Sequence, residues 1–222
     1  MNATLEHLKD GRLVWLPEAG CGYYECDQPS AAQVYDQAYF DRFAAQADTE
    51  TGRALMIARA ELVRRYAGPD PMAIGRLVDV GIGSGAFIDL MAAQGVQALG
   101  YDVNPAGVDW LEAREAYVDL YRQGPWETVT FWDALEHIRE PDKALARCAG
   151  WAFVALPIFR DCAHVLASKH YRKTEHYWYF TRDGFRRFVE AQGFRVVDIV
   201  ATETAIGRED VETFVLRRAS PP

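Results

Sequence analysis

No run of the 222-residue sequence approaches the roughly 20 consecutive apolar residues a membrane helix needs, which excludes a membrane-spanning helix. The first 28 residues carry Glu6, Lys9, Asp10 and Arg12 without a continuous apolar run, so no secretory leader is expected and a cytoplasmic location is. Cysteine is scarce: the 4 thiols are Cys21, Cys26, Cys148 and Cys162, too few for a disulfide-stapled scaffold and expected to be reduced. Cys21 and Cys26, even joined with Cys162 and His164, lack the close knuckle spacing of a structural zinc site. Basic residues are outnumbered, 24 Lys and Arg against 32 Asp and Glu, for a net charge of −8 and an isoelectric point near 5.2. That excludes a broad duplex-DNA-coating surface. Repeats and low-complexity tracts are also missing. What is present is apolar material, 50% of residues, in a length suited to one domain with a small extension.

Helical spacing of Val34, Tyr35, Ala38, Tyr39 and Phe43 predicts a helix over 31–46, and Leu55, Ile57, Ala58, Leu62 and Val63 predict a second over 54–66. Ala67-Gly68-Pro69-Asp70-Pro71 then stops helix structure, dividing an N-terminal extension and helical cap, 1–70, from a main domain, 71–222. Beyond it strand and helix signals alternate. Strands are predicted at 77–80, 98–103, 127–132, 151–156, 195–202 and 211–216, with a brief one near 117–120. Helices are predicted at 86–94, 106–114, 141–148 and 181–192, and Gly20 to Cys26 as a hairpin or flap. Alternation of this kind means an α/β fold: a Rossmann-like, mostly parallel sheet with helices on both faces.

The strongest chemical signal is Leu77-Val78-Asp79-Val80-Gly81-Ile82-Gly83-Ser84-Gly85, a strand running into a glycine turn and then a helix. Such glycines let a ligand lie against backbone at the strand's carboxyl end. Asp102, ending the next strand, is placed to accept hydrogen bonds from a ribose diol. The spacing is G-x-G-x-G rather than the dinucleotide G-x-G-x-x-G. Asp79, two residues before the first glycine, would repel a pyrophosphate but suits a ligand carrying an ammonium and a sulfonium.

On these residues the chain resembles the class I S-adenosylmethionine-dependent methyltransferases, over roughly 76–216. The resemblance implies a seven-stranded sheet with an antiparallel last strand. It implies S-adenosylmethionine as cofactor, with Asp79, Gly81, Gly83 and Gly85 lining its methionine end. Asp102, with Val103, would bind the ribose, and Asp119 and Leu120 would flank the adenine. Asp133-Ala134-Leu135-Glu136-His137 looks like the D-x-L-E-H segment of many small-molecule methyltransferases, which sits beside the cofactor's methionine part and gives Asp133 and Ala134 to the cofactor. His176, in Thr174-Glu175-His176-Tyr177-Trp178-Tyr179-Phe180-Thr181, matches a His-aromatic-Phe-Thr run facing the substrate. His137 and His176 are therefore the candidate catalytic residues. An imidazole of pKa near roughly 6.5 suits a general base for a hydroxyl acceptor.

Asp133, Glu136, His137 and His176 also resemble the metal-holding set of small-RNA 2′-O-methyltransferases, which makes metal-assisted ribose methylation of RNA a rival reading. The first acid is Asp rather than Glu, and D-x-L-E-H occurs in enzymes needing no metal, so no residue is assigned to a metal. A noncatalytic cofactor-binding subunit is a second rival, and a dinucleotide oxidoreductase a third.

The acceptor side is expected in the segment 159–187, where seven Lys and Arg stand against three Asp and Glu, interleaved with aromatic rings. Lys169 and His170 are the better acceptor-binding candidates there, while Arg182, Arg186 and Arg187 read as a solvated helix face. Tyr35 and Tyr39 are expected to cover the cofactor and contact substrate, as leading helices do in the family the chain resembles. The expected function is methyl transfer to a small or metabolite-like acceptor, on oxygen, with a phosphate- or carboxylate-bearing acceptor compatible with the local cations. Neither duplex DNA nor a membrane is an expected partner, and the sequence does not set the oligomeric state.

Overall fold

The computed structural model describes residues 7–8, 11–25, 35–173 and 175–219. Cys26 and the first residues of the helix predicted over 31–46 lie outside them. Three short strands come first: β1 (His7–Leu8), β2 (Gly11–Leu16) and β3 (Cys21–Glu25) form an antiparallel ribbon. Helix α1 (Gln37–Ala47) starts after Asp36, whose carboxylate accepts from the Tyr39 amide. Helix α2 (Glu50–Ala67) is capped by Thr49 and terminated by Gly68, and the one-turn α3 (Pro71–Ile74) follows Asp70.

The alternating part runs β4 (Leu77–Val80), α4 (Ala86–Ala93), β5 (Ala98–Tyr101), α5 (Pro105–Glu112) and β6 (Trp126–Trp132). A single 3-10 turn over Leu135–His137 leads to α6 (Pro141–Leu145), β7 (Cys148–Phe159), α7 (Cys162–Ala167) and β8 (Trp178–Thr181). The chain closes with α8 (Arg182–Ala191), β9 (Phe194–Val200), α9 (Thr202–Ala205) and β10 (Val211–Arg218). β4 pairs in parallel with β5 and β6, β6 with β7, and β7 with β8, whereas β10 lies antiparallel between β7 and β9. The expected α/β sheet with its antiparallel last strand is thus present, extended by the ribbon, which joins through β3 to β8.

Period-2 alternation divides the core into two layers. Val154, Leu156, Val129, Phe131, Phe214 and Leu216 pack on one face with Leu145, Phe185 and Val189 from α6 and α8. Phe153, Ala155, Trp132, Val211 and Val215 pack on the other with Leu62, Val63, Phe87 and Met91 from α2 and α4.

Several details differ from the sequence reading, among them the helix predicted over 141–148, which ends at Leu145 so that Cys148 opens β7. The strand expected near 117–120 is reduced to one bridge between Gly100 and Tyr117. β7 continues through Pro157 to Phe159, because pairing with β6 has already ended at Ala155 and the missing Pro157 donor faces no acceptor there. The neighbouring Ile158 amide still donates to Asp210 on the β10 side. Within the segment 159–187, for which no strand is predicted, β8 forms because it has two partners, β3 and the end of β7.

Candidate active site

The first half of the site is local. Gly81, Gly83 and Gly85 all have positive φ, as a turn from β4 into α4 requires. At Gly81 a Cβ would stand 2.8 Å from the Ala134 Cβ, and at Gly85 one would stand 2.4 Å from the Trp110 ring, so neither position has room for a side chain. Asp79 is buried on the last turn of β4 and accepts a 2.6 Å hydrogen bond from the Thr130 hydroxyl of β6. Burial pushes its carboxyl up to about 7, against the opposing pull of Thr130 and Arg59.

Asp102 stands just past β5, its Oδ1 taking the Asn104 amide at 2.8 Å. Burial raises its carboxyl too, offset by the amides of Asn104, Val103 and Ile82. Two carboxylates at neighbouring strand ends, with a side-chain-free turn between them, fit a ligand that brings an ammonium to one and a diol to the other. Val103 is half exposed beside Asp102. Asp119 caps its own turn by accepting from the Tyr121 and Arg122 amides.

The second half is assembled from distant segments. The Tyr177 amide donates to the Glu136 carbonyl at 2.8 Å, and the Trp178 indole to the Arg139 carbonyl, laying the strand-leading segment against the 3-10 turn. His176 is thereby brought to His137, with ring centroids 4.5 Å apart at 78°. Glu136 is 1% exposed and His176 3% exposed. Neither Glu136 oxygen, nor His176 Nδ1, has a hydrogen-bond partner among the described residues. Burial first, and the Asp133 charge second, raise the Glu136 carboxyl well above its usual range. Burial lowers His137 to about 4 and His176 well below its ordinary value, so both rings are neutral.

Tyr35 closes this pocket: its hydroxyl lies 3.0 Å from His137 Nδ1, and its ring packs edge-on against Tyr39 at 4.9 Å. Tyr39 in turn meets Phe43, the side chain nearest the open side of Gly83. No residue of α1 is buried, so the helix lies as an aromatic cover rather than a core element. Burial is the main cause of the raised pKa of both tyrosines, with Asp102 and Glu175 adding to it, which places the cover between the two halves. Asn104, buried, ties the cover down by donating to the Asp36 carbonyl.

The remaining sequence candidates fall elsewhere. The Asp133 carboxylate is held by Arg208 through two 2.8 Å bonds and by Arg59 at 3.1 Å, with φ of +57°. Its oxygens are therefore taken by guanidinium groups. Glu203, 1% exposed, completes the network by accepting from Arg59 at 2.8 Å and pairing with Arg208. Lys169 pairs with the Glu209 carboxylate at 3.5 Å, and His170 Nε2 lies 2.9 Å from the Glu209 carbonyl oxygen, although His170 stays near enough to bear on His176. Arg172 pairs with Glu175, Arg182 with Glu212, and Arg187 donates to the Glu18 and Ala19 carbonyls.

Arg59, Glu203 and Arg208 were not anticipated. One signal existed, since Arg59 interrupts the apolar stripe of Leu55, Leu62 and Val63, where an arginine must find acids. The other two sit in a segment with no pattern.

Residues 43–199 match the family described as a methyltransferase domain. A ubiquinone biosynthesis O-methyltransferase of Paracidovorax citrulli (strain AAC00-1) is 31% identical over 107 residues. That match takes in 39% of this chain and 45% of the relative, so the chain spans less than half the length of that protein. Among solved structures, magnesium protoporphyrin IX methyltransferase of Synechocystis PCC 6803 with bound S-adenosylmethionine superposes with a TM-score of 0.58 at 15% identity, covering 85% of this chain and 95% of that one. The 1,6-didemethyltoxoflavin-N1-methyltransferase of Burkholderia thailandensis gives 0.56 at 14%, covering 96% and 99%. The [4+2]-cyclase SpnF gives 0.59 at 16%, covering 87% and 98%, a reminder that the fold alone does not fix the chemistry. With the methyltransferase-domain family matched over more than half of the chain, the chain belongs to the class I S-adenosylmethionine-dependent methyltransferases.

Proposed function

We propose that the protein transfers the methyl group of S-adenosylmethionine to an oxygen of a small, metabolite-like acceptor. The observation that carries this reading is the pocket of Glu136, His137 and His176 under Tyr35, beside the cofactor-binding strand ends. When bound, the cofactor supplies a methyl group already activated on sulfur. Asp79 and Asp102 orient it from two sides, so that much of the rate comes from positioning. An acceptor hydroxyl entering the pocket meets neutral imidazoles that can accept its hydrogen bond and orient it, although burial, which holds His137 at about 4, makes them weaker bases than the free imidazole expected from the sequence. Transfer would form a carbon–oxygen bond at the expense of the cofactor's carbon–sulfur bond, whose electron pair would stay with sulfur. Tyr35 and Tyr39 exclude water from the transfer.

A small acceptor is supported by the pairing of the cations in 159–187: Lys169, Arg172 and Arg182 each face a carboxylate, and Arg187 faces carbonyls. Such groups are poorly placed to hold a run of phosphates. Transfer to oxygen is supported by the ubiquinone-pathway relative, an O-methyltransferase by name. The test is incubation of the full chain with methyl-labelled S-adenosylmethionine and a deproteinised metabolite extract, followed by solvent partition. Label in low-molecular-weight methyl ethers is expected. Label confined to RNA, and lost on RNase treatment, would replace this reading with ribose methylation.

A further inference from the structure

We propose that Glu136, His137 and His176 form a binding site for a single divalent first-row transition cation. Each offers one ligand atom, and the three atoms lie within 4.8 Å of one another in a largely buried pocket. In a tetrahedral site with bonds of about 2.0–2.2 Å the ligands stand roughly 3.3–3.6 Å apart, so side-chain rotation of about an ångström closes the set.

Unsatisfied polarity is the second observation. A buried carboxylate with two unpartnered oxygens, beside a buried imidazole with an unpartnered Nδ1, leaves three acceptor-capable atoms aimed into one small volume. Buried polar groups are almost always paired, and a convergent set of acceptor-capable atoms suits a cation. A proton shared between one Glu136 oxygen and His176 Nδ1 would still leave the second Glu136 oxygen without a partner.

The surroundings have the form of a second coordination shell. The Tyr35 hydroxyl, 3.0 Å from His137 Nδ1, engages that ring nitrogen and holds the ring's orientation in the pocket. The Tyr177 amide on the Glu136 carbonyl and the His176 amide on the Arg172 carbonyl hold the two ligand-bearing backbones in place. Asp133, the acid three residues before Glu136, is outside the set because Arg59 and Arg208 occupy both its oxygens. The site therefore has three protein ligands, two imidazoles and one carboxylate, with at least one position left for an acceptor oxygen. Two nitrogen ligands disfavour magnesium and calcium, which prefer all-oxygen sites. Use of the cation to bind and acidify the acceptor hydroxyl rests on the proposed function; the cation site itself does not.

The test uses the full chain, stripped with chelator and dialysed, then titrated with cobalt(II) alone. Visible d–d absorption saturating at one equivalent is expected. Glu136→Gln and His176→Asn should each weaken cobalt binding on the order of 100-fold, and Tyr35→Phe by about 10-fold, as loss of an outer-shell partner does. His164→Gln, which alters a histidine paired with Asp210, should change nothing. Affinity for S-adenosylhomocysteine, measured on every variant in metal-free buffer, reports whether the fold and cofactor site survive. Cobalt binding that is absent, or that persists in Glu136→Gln with cofactor affinity intact, overturns the site. Cobalt binding without any S-adenosylhomocysteine binding would instead leave the site standing and remove the methyltransferase reading.

Discussion

The two halves of the proposed active site, one read as holding the cofactor and one the acceptor, are built in opposite ways. The cofactor half comes from one continuous stretch, β4 through the start of α5, where each functional group sits at a strand end fixed by parallel pairing of Asp79 with Gly100 and Thr130. The acceptor half draws Tyr35, Glu136, His137 and His176 from three segments, beside a network in which Arg59, Asp133, Glu203 and Arg208 are likewise spread over three. A half made of local turns tolerates change in the rest of the protein, whereas one made of long-range charge pairs depends on each member.

That contrast is broken most severely at Asp133. Asp133→Ala removes one of the two carboxylates that Arg59 and Arg208 share, leaving Glu203 alone between them, and a loss of about 3 kcal/mol is expected from urea unfolding, since under-compensated buried charge is costly. An unchanged unfolding midpoint would show the network to be dispensable. Asp102→Ala touches the other half and should behave differently. Calorimetry should show S-adenosylhomocysteine binding weakened by about 30-fold, the worth of about 2 kcal/mol of charge-assisted hydrogen bonding, with little change in stability. Unchanged affinity would remove the ribose assignment.

Asp79 sharpens the comparison through pH. Its folded carboxyl lies near 7, above its ordinary value of 3.8, so its contribution to the stability of the ligand-free protein is full below 3.8 and is lost as pH rises through 7. A cofactor ammonium prefers the ionised form. S-adenosylmethionine affinity should therefore rise between pH 6 and 8, by up to about tenfold per pH unit below 7, and Asp79→Asn should flatten that slope. The smallest effect is expected at Arg182. Its own side chain is exposed, 58%, where it meets the more covered Glu212, so Arg182→Ala should cost about 1 kcal/mol or less and leave methyl transfer unaltered.

Much of the cofactor half was legible because its chemistry is written at short range. Gly81, Gly83 and Gly85 declare a turn that only a side-chain-free backbone can make, and Asp102 follows at the next strand end. His137 and His176 were readable as motif members, yet their meeting was not: it needs the Tyr177 amide to reach the Glu136 carbonyl across 41 residues. Asp133 was read toward the cofactor because its motif points there, and its two arginine partners lie 74 and 75 residues away. The cationic segment before α8 looked like an anion-binding surface only while its acids, Glu209 and Glu212, were out of view.

By itself, then, the sequence determined the alternating α/β order, the glycine turn and the acidic strand ends, since these follow from periodicity and from φ/ψ preferences that act over a few residues. Only the tertiary structure decided which charges are spent on one another and which lone pairs are left to converge. Coulomb and hydrogen-bond partners are chosen by proximity in space, and no local pattern records which carboxylate a distant arginine will reach first.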